Sequence, residues 1–201
     1  MKKVLNTFGL LSLLVLFTGF FSPLDDVKVK NNVFDVTYSQ RLEQPLSLTY
    51  RSTNRPTNVN RGSMDFHKEP NVHTSDGADY VRNIWDKGHL APAATFSDNM
   101  ENLKQTFSYL NCALQDQYLN RGEWRLLEEK ERVWDDVEPL TVTIDIHFNG
   151  NCQVLQTGAT VPSGFTKHIY FENSKKYTCY SFDNSRPQKG WEDHRVKCAK
   201  H

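Results

Sequence analysis

The chain has 201 residues, and its 24 basic side chains balance 24 acidic ones, so its formal net charge at neutral pH is zero. This length is sufficient for one domain with a proper hydrophobic core. The overall charge neither predicts nor excludes a polyanionic partner, because local charged patches steer binding.

The first 22 residues differ from the rest of the chain. They read MKKVLNTFGLLSLLVLFTGFFS, with two lysines, no acidic residue and an apolar run of about 14 residues from Phe8 to Phe21. A basic start before a short apolar core is typical of a secretory signal, and the run is short for a membrane span, which needs about 20 residues. We predict a signal peptide over residues 1–22, with an uncleaved N-terminal anchor as the alternative, and one domain over residues 23–201. The predicted location is therefore secreted or periplasmic.

All four cysteines lie in the predicted domain: Cys112, Cys152, Cys179 and Cys198. An even number of cysteines in an oxidising compartment predicts two disulfides, for which three pairings are possible. The spacing contains no Cys-x-x-Cys pair, so it does not favour a zinc site.

The N-terminal half of the domain predicts two strands and a long loop. Residues 33–40 and 46–53 are rich in β-branched and aromatic side chains, which is typical of strands. The polar segment from 54 to 77 contains two prolines and predicts a loop. Residues 79–85 form a short strand or turn that leads into DKGHLAPAATF, residues 86–96.

Two helices are expected in the middle of the chain. The first begins after a Ser97 or Asp98 cap and continues through apolar residues at helical spacing as far as Leu110. The second extends from Gly122 to about Val137.

After Pro139 the hydrophobic period changes to two residues. This change predicts strands at residues 140–148, 152–159, 166–172 and 176–183. Strands, then a loop with helices, then strands again predict an α+β domain.

Two further segments have structural and functional interpretations. Trp124 lies on the second helix and is expected in the core, although tryptophan can also stack on nucleobases. The basic tail from Arg186 onward is expected to be a surface segment attached through Cys198, with contact to a nucleic-acid backbone as the alternative.

His89 is the first candidate for catalytic chemistry. Histidine exchanges protons at physiological pH, and Gly88 beside it allows the backbone to bend tightly. Asp86 could orient the imidazole or could simply form an Asx-turn. From these residues alone, a general base and an ordinary turn histidine both remain possible.

Asn120, Glu128 and Arg132 form a second polar series. They are eight and four residues apart, so they lie near one helical stripe if Asn120 stands at the entrance of the helix. An asparagine carbonyl oxygen is a hard ligand that suits Mg²⁺, and Glu128 could hold one of the waters of the ion. The structural alternative is that Asn120 caps the helix while Glu128 and Arg132 form a solvated pair.

Taken in order, the residues from 86 to 132 resemble the signature of the DNA/RNA non-specific endonucleases, which are ββα-metal nucleases. The family pattern is Asp-Arg-Gly-His, an Ala-Pro turn, Thr-Phe, an Asn followed by Pro-Gln, and Leu-Asn-x-Gly-x-Trp followed by Leu-Glu and an Arg. Sixteen residues fall in register over these 47 positions: Asp86, Gly88, His89, Ala91, Pro92, Thr106, Phe107, Asn111, Gln115, Leu119, Asn120, Gly122, Trp124, Leu127, Glu128 and Arg132. Flanking segments extend the resemblance over roughly residues 45–183.

The resemblance implies a ββα-metal nuclease fold of the α+β class, with a central antiparallel sheet and helices that carry the active site. It implies that His89 is the general base that activates water. Asn120 would be the only direct protein ligand of one Mg²⁺, and Glu128 would bind the water shell of that ion. Asn111 would help to place the loop of His89 and the phosphate.

The resemblance also implies phosphate contacts. Arg61 and Arg132 would make them, with Arg55 as the alternative to Arg61 in a segment that aligns poorly. Lys87 stands where the family has arginine, so the positive charge is kept but the bidentate guanidinium is lost. We therefore expect a weaker or altered phosphate contact at Lys87.

The sequence leads to one main hypothesis and two alternatives. The main hypothesis is an exported, Mg²⁺-dependent endonuclease that acts on DNA and RNA and leaves 5′-phosphates, with Mn²⁺ able to substitute and no stable protein partner. The first alternative is a non-catalytic nucleic-acid-binding protein, motivated by Lys87 and the balanced charge. The second is a phosphodiesterase that acts on small nucleotides.

Overall fold

The computed structural model describes residues 25–198. The predicted signal peptide or anchor lies outside these residues. Within residues 25–198, no helix is long and apolar enough to cross a membrane.

The core of the fold is a seven-stranded antiparallel sheet with the strand order β1-β2-β3-β6-β7-β8-β9. A second sheet contains only β4 and β5, which are also antiparallel. The strands are β1 (Asp26–Lys30), β2 (Phe34–Ser39), β3 (Gln44–Ser52), β4 (Trp85–His89), β5 (Cys112–Asp116), β6 (Leu140–His147), β7 (Gly164–Phe171), β8 (Lys176–Asp183) and β9 (Arg195–Val196).

Alternation between buried apolar side chains and partly exposed ones explains how the central strands form. Leu140, Val142, Ile144 and Ile146 of β6 are buried, and the residues between them are partly exposed. Successive side chains of a strand point to opposite faces, so this period of two places one apolar face on the core.

In residues 25–198, three short α-helices accompany the sheets: α1 (Met100–Thr106), α2 (Gln117–Leu119) and α3 (Arg125–Asp135). The side chain of Asn99 caps α1 by accepting a hydrogen bond from the backbone N–H of Asn102 at 2.8 Å. A π-helical segment, Asn120–Trp124, joins α2 to α3, and Gly122 within it has non-helical angles of φ −106° and ψ −111°. Trp124 is 1% exposed, which confirms its expected place in the core.

The predicted α+β class is confirmed, as are the strands expected at 33–40, 46–53, 140–148, 166–172 and 176–183. The loop expected from 54 to 77 is also present. The structure adds β1, which the sequence pattern did not indicate.

Four local predictions are wrong. The first helix is capped by Asn99 instead of Ser97 or Asp98. The strand expected at 152–159 is reduced to an isolated bridge between Val154 and Thr160. The first helix ends at Thr106 instead of Leu110, because the chain turns through a 3₁₀ segment into β5. The motif that begins at Asp86 was expected in a turn, but its first four residues belong to β4.

The prediction of two disulfides is only half right. Cys179 of β8 forms a disulfide with Cys198 near the end of the described chain. Cys112 and Cys152 are free. Cys112 is buried in β5, where its Sγ lies 3.2 Å from the hydroxyl of Tyr80, so its neighbour is a phenol and not a second thiol.

Candidate active site

The two-stranded sheet determines where His89 lies. His89 is the last residue of β4 and pairs with Cys112 of β5. Gly88 packs directly on Gln115, since a Cβ added at Gly88 would lie 2.7 Å from the Cβ of Gln115. The glycine is therefore required for close packing between the two strands, and not for the tight turn that the sequence suggested.

Asn111 holds the loop that follows His89. Its Oδ1 accepts a hydrogen bond from the N–H of Ala91 at 2.7 Å. Its Nδ2 donates to the carbonyl oxygens of Ala91 at 2.9 Å and Thr106 at 2.8 Å. The side chain is 0% exposed and its hydrogen bonds hold the loop after His89, so any help in placing the phosphate would act through that loop.

The imidazole of His89 lies in an aromatic environment. Its centroid is 4.7 Å from the ring of Phe66 and 4.9 Å from that of Phe107. Nε2 is buried and has no hydrogen-bond partner among residues 25–198. Burial, and secondly the positive charge of Arg61, lower the pKa of His89 to about 4. The ring is therefore neutral at physiological pH and can accept a proton on a ring nitrogen.

The two basic residues predicted beside His89 have different environments. Arg61 is exposed, and its guanidinium carbon lies 5.4 Å from the centroid of Phe107. Lys87 is 24% exposed, and its Nζ lies 2.8 Å from Oδ1 of Asp65. Hydrogen bonding to Lys87 lowers the pKa of Asp65. A phosphate would compete with Asp65 for Lys87, whereas Arg61 is available.

Asn120 is tied to the strand that carries His89. Its Nδ2 donates a hydrogen bond to Oδ2 of Asp86 at 2.9 Å. Arg121 contacts both oxygens of the same carboxylate at 2.7 and 2.6 Å. Asp86 is therefore neither an Asx-turn residue nor a partner of the imidazole, and Asn120 does not cap a helix with its side chain.

Glu128 is partly buried, and one oxygen of its carboxylate is fully enclosed. Its Oε1 has no hydrogen-bond partner in the part of the chain that the structure describes. Burial raises the pKa of Glu128 to about 7, and the charge of Lys167 opposes this shift. The alternative of a solvated Glu128–Arg132 pair does not fit this environment.

Lys167 and Glu131 form a buried ion pair behind Glu128. Nζ of Lys167 lies 2.8 Å from Oε1 of Glu131, and the two side chains are 0% and 1% exposed. The ammonium also lies 4.2 Å from the ring centroid of Trp124. The sequence interpretation missed this pair, although the register of β7 places Lys167 between the buried Phe165 and Ile169.

Arg132 and Arg61 line adjoining cavities. Arg132 and Arg55 line one of about 310 Å³, and Arg61 lines one of about 550 Å³. Both cavities are bordered by Thr57 and Ala94. Arg55 is engaged by Asp98, with an N–O distance of 3.0 Å, so Arg61 is the better candidate for a phosphate contact.

The donors suit a hard divalent cation better than a soft one. Residues 25–198 contain no cluster of three or more His, Cys, Asp or Glu that could hold a metal. Asp86 engages the amide nitrogen of Asn120, which directs the carbonyl oxygen away from that contact. A carbonyl oxygen and the unpartnered Oε1 of Glu128 are ligands of the kind that Mg²⁺ accepts, directly or through water.

Comparison with known proteins places the chain in a family. The family described as DNA/RNA non-specific endonuclease matches residues 16–200. Mitochondrial endonuclease G of Bos taurus is 38% identical over 76 residues, which cover 36% of this chain and 25% of that protein. A nuclease of Serratia marcescens is 31% identical over 113 residues, which cover 51% of this chain and 42% of that protein. The chain therefore spans less than half of the length of these curated relatives.

A solved structure confirms the predicted fold. A chain from the crystal structure of the EndoG/EndoGI complex superimposes with a TM-score of 0.76 at 22% sequence identity, covering 85% of this chain and 80% of that one. The structural superposition and the family match each cover most of the sequence, and they agree with each other. The chain belongs to the DNA/RNA non-specific endonuclease family.

Proposed function

We propose that this protein is an exported, Mg²⁺-dependent endonuclease that hydrolyses phosphodiester bonds of DNA and RNA and leaves 5′-phosphates. Mn²⁺ is expected to substitute for Mg²⁺. The observation that carries the proposal is the neutral imidazole of His89, packed against Phe66 and Phe107 on the strand whose Asp86 holds Asn120.

His89 is the general base in this proposal. Because its pKa is about 4, the imidazole is unprotonated before the reaction and can take a proton from the attacking water. The aromatic contacts and the loop held by Asn111 restrict the ring, so the acceptor atom keeps one position.

Asn120 and Glu128 would hold the Mg²⁺, Asn120 directly and Glu128 through a water molecule. When bound, the ion neutralises negative charge on the phosphoryl and leaving oxygens. Asp86 fixes the orientation of the Asn120 amide, while Arg121 balances the charge of Asp86. A bound cation also favours the ionised form of Glu128, against the effect of burial.

Arg61 and Arg132 stabilise the negative charge of the phosphate in the transition state. They line adjoining cavities, which suits an extended backbone better than a single small ligand. Contacts with phosphates carry no direct sequence information, so we expect little sequence preference.

The test is cleavage of plasmid DNA and of RNA by the purified protein in Mg²⁺ or in EDTA. We expect EDTA to abolish cleavage and His89→Ala to lower the rate by about 10²–10⁴-fold, which is typical of a lost general base. His73→Ala is the matched control, because His73 lies in the surface loop and pairs with Glu43. Cleavage in EDTA, or full activity of His89→Ala, would contradict the proposal.

A second candidate is a nucleic-acid-binding protein without turnover. The contact between Lys87 and Asp65 favours it, because this contact occupies a cation expected to bind phosphate. DNA affinity without cleavage in Mg²⁺ and in Mn²⁺ would support this candidate. Cleavage of dinucleotides but not of longer chains would instead indicate a small-nucleotide phosphodiesterase.

A further inference from the structure

An exposed aromatic–cation pair lies on the surface near the candidate metal ligand. Tyr118 of α2 is 51% exposed. The guanidinium carbon of Arg186, in the loop after β8, lies 4.4 Å from the centroid of the Tyr118 ring. This geometry is that of a cation–π contact between an exposed tyrosine and an arginine brought from a distant part of the chain.

The position of Tyr118 relates this pair to the site. Tyr118 precedes Asn120 by two residues and Arg121 by three. Residues three apart in helical sequence are neighbours on one face, and the Arg121 guanidinium holds the carboxylate that orients Asn120. Asn120 itself is only two residues further along, about 3 Å along a helix axis, so a nucleic acid bound at Asn120 would extend within reach of Tyr118.

The charge of Arg186 is not engaged by a carboxylate. Among residues 25–198, the ion pairs within 4.0 Å do not include Arg186, whereas Arg121 and Arg125 each pair with an acidic residue. The cation that packs on Trp124 provides a contrast, since Lys167 is buried and paired with Glu131. The Tyr118–Arg186 pair is exposed, so it has both an aromatic surface and a free cation to offer a ligand.

An exposed aromatic ring beside a free cation is a combination that binds single-stranded nucleic acids. Bases stack on exposed aromatic rings and on guanidinium planes, while cations contact the phosphates. We propose that Tyr118 and Arg186 form an accessory subsite for a nucleotide next to the scissile phosphate, with the base stacked on Tyr118 and the adjacent phosphate at Arg186. This inference rests on the proposed function and extends it to recognition of unpaired strands.

Binding and cleavage are measured separately with a labelled single-stranded oligonucleotide. Fluorescence anisotropy of the full protein in EDTA gives Kd, and hydrolysis in Mg²⁺ gives kcat and KM for the oligonucleotide and for a dinucleotide. The variants are Tyr118→Ala, Tyr118→Leu, Tyr118→Phe and Arg186→Gln. The controls are Tyr177→Ala, which removes another exposed tyrosine, and Arg41→Gln, which removes another exposed arginine.

We expect Tyr118→Ala and Tyr118→Leu to raise the Kd of the oligonucleotide about tenfold, within the range for the loss of one stacked base. Tyr118→Phe keeps the ring and should stay within about twofold of wild type. Arg186→Gln should weaken binding and reduce the salt dependence by about one phosphate contact. The preference for the oligonucleotide over the dinucleotide should fall with the affinity, and both controls should match wild type.

The outcomes separate the subsite from the nuclease activity. If wild type cleaves and the alanine and leucine variants bind as wild type does, the subsite is refuted while the function stands. If Tyr118→Phe loses as much affinity as Tyr118→Ala, stacking is refuted. If wild type does not cleave but its affinity depends on the Tyr118 ring, the subsite stands and the nuclease activity is refuted.

Discussion

Replacing Lys167 by methionine tests the buried ion pair beneath α3. Nζ of Lys167 lies 2.8 Å from the carboxylate of Glu131 and faces the ring of Trp124, and its charge also acts on Glu128. The hydroxyl of Tyr50 donates to the other oxygen of Glu131 at 2.5 Å. The substitution leaves this carboxylate buried with one neutral donor.

The expected cost follows from the burial of both charges. Removing one member of a buried pair destabilises a protein by about 3–5 kcal/mol, because the remaining charge stays uncompensated. Methionine has nearly the volume of lysine, so a cavity contributes little. The double variant Lys167→Met/Glu131→Gln removes both charges and keeps an acceptor for Tyr50. We expect it to recover about half of the loss or more.

Urea unfolding followed by circular dichroism measures these differences. With a slope of about 2 kcal/mol per M, the midpoint of Lys167→Met should fall by about 1.5–2.5 M. Lys176→Met, at an exposed position of β8, is the matched control and should change the midpoint little. A loss below about 1 kcal/mol in Lys167→Met, or a double variant no more stable than the single one, would refute the reasoning.

Two further predictions concern the strand that ends at the candidate base. Gly88→Ala should destabilise the fold by about 1–3 kcal/mol, because its methyl group would meet Gln115. Thermal unfolding measures this, with Gly190→Ala as the control at a glycine whose Cβ would meet nothing within 4 Å; equal melting temperatures for both variants would contradict the packing argument. NMR titration of the metal-free protein should give a pKa of about 4 for His89, and Arg61→Gln should raise this pKa while leaving it below the usual 6.5, because burial is the larger cause. The lowered pKa of His89 contributes to the free energy of unfolding above pH 6.5, and this contribution is lost as the pH falls towards 4. An NMR titration midpoint near 6.5 for His89 would exclude the buried environment.

Strands were predictable where alternation coincided with burial. In β8 the expected range, 176–183, is the observed one. The segment at 152–159 has a similar pattern, but Val154 is 63% exposed, so the alternation does not face a core and only a bridge forms. Apolar spacing to Leu110 indicated a longer first helix, yet Asn111 hydrogen-bonds to the loop after His89 and the chain turns at that point. A periodic sequence pattern does not show whether a segment faces the core or whether contacts with a distant loop end a helix early.

The candidate site was predictable from residue types and order, but its internal contacts were not. Resemblance identified His89, Asn120 and Glu128. It did not indicate that Asp86 would orient Asn120, or that Lys167 would lie buried near Glu128, since both arrangements depend on how distant segments meet. The pKa shifts of His89 and Glu128 could not be predicted from the sequence either, because each arises chiefly from burial.

The disulfide has a consequence for the solubility of the protein. β9 contains two residues and pairs with β8 at Cys179 and Tyr180, so among residues 25–198 most of the outer edge of β8 has no partner strand. An unpaired edge is a template for association with another chain. The bond from Cys179 to Cys198 holds the C-terminal segment beside this edge, where two residues of pairing alone would fray. Reduction would release that segment, so the oxidised form protects the protein against edge-to-edge aggregation.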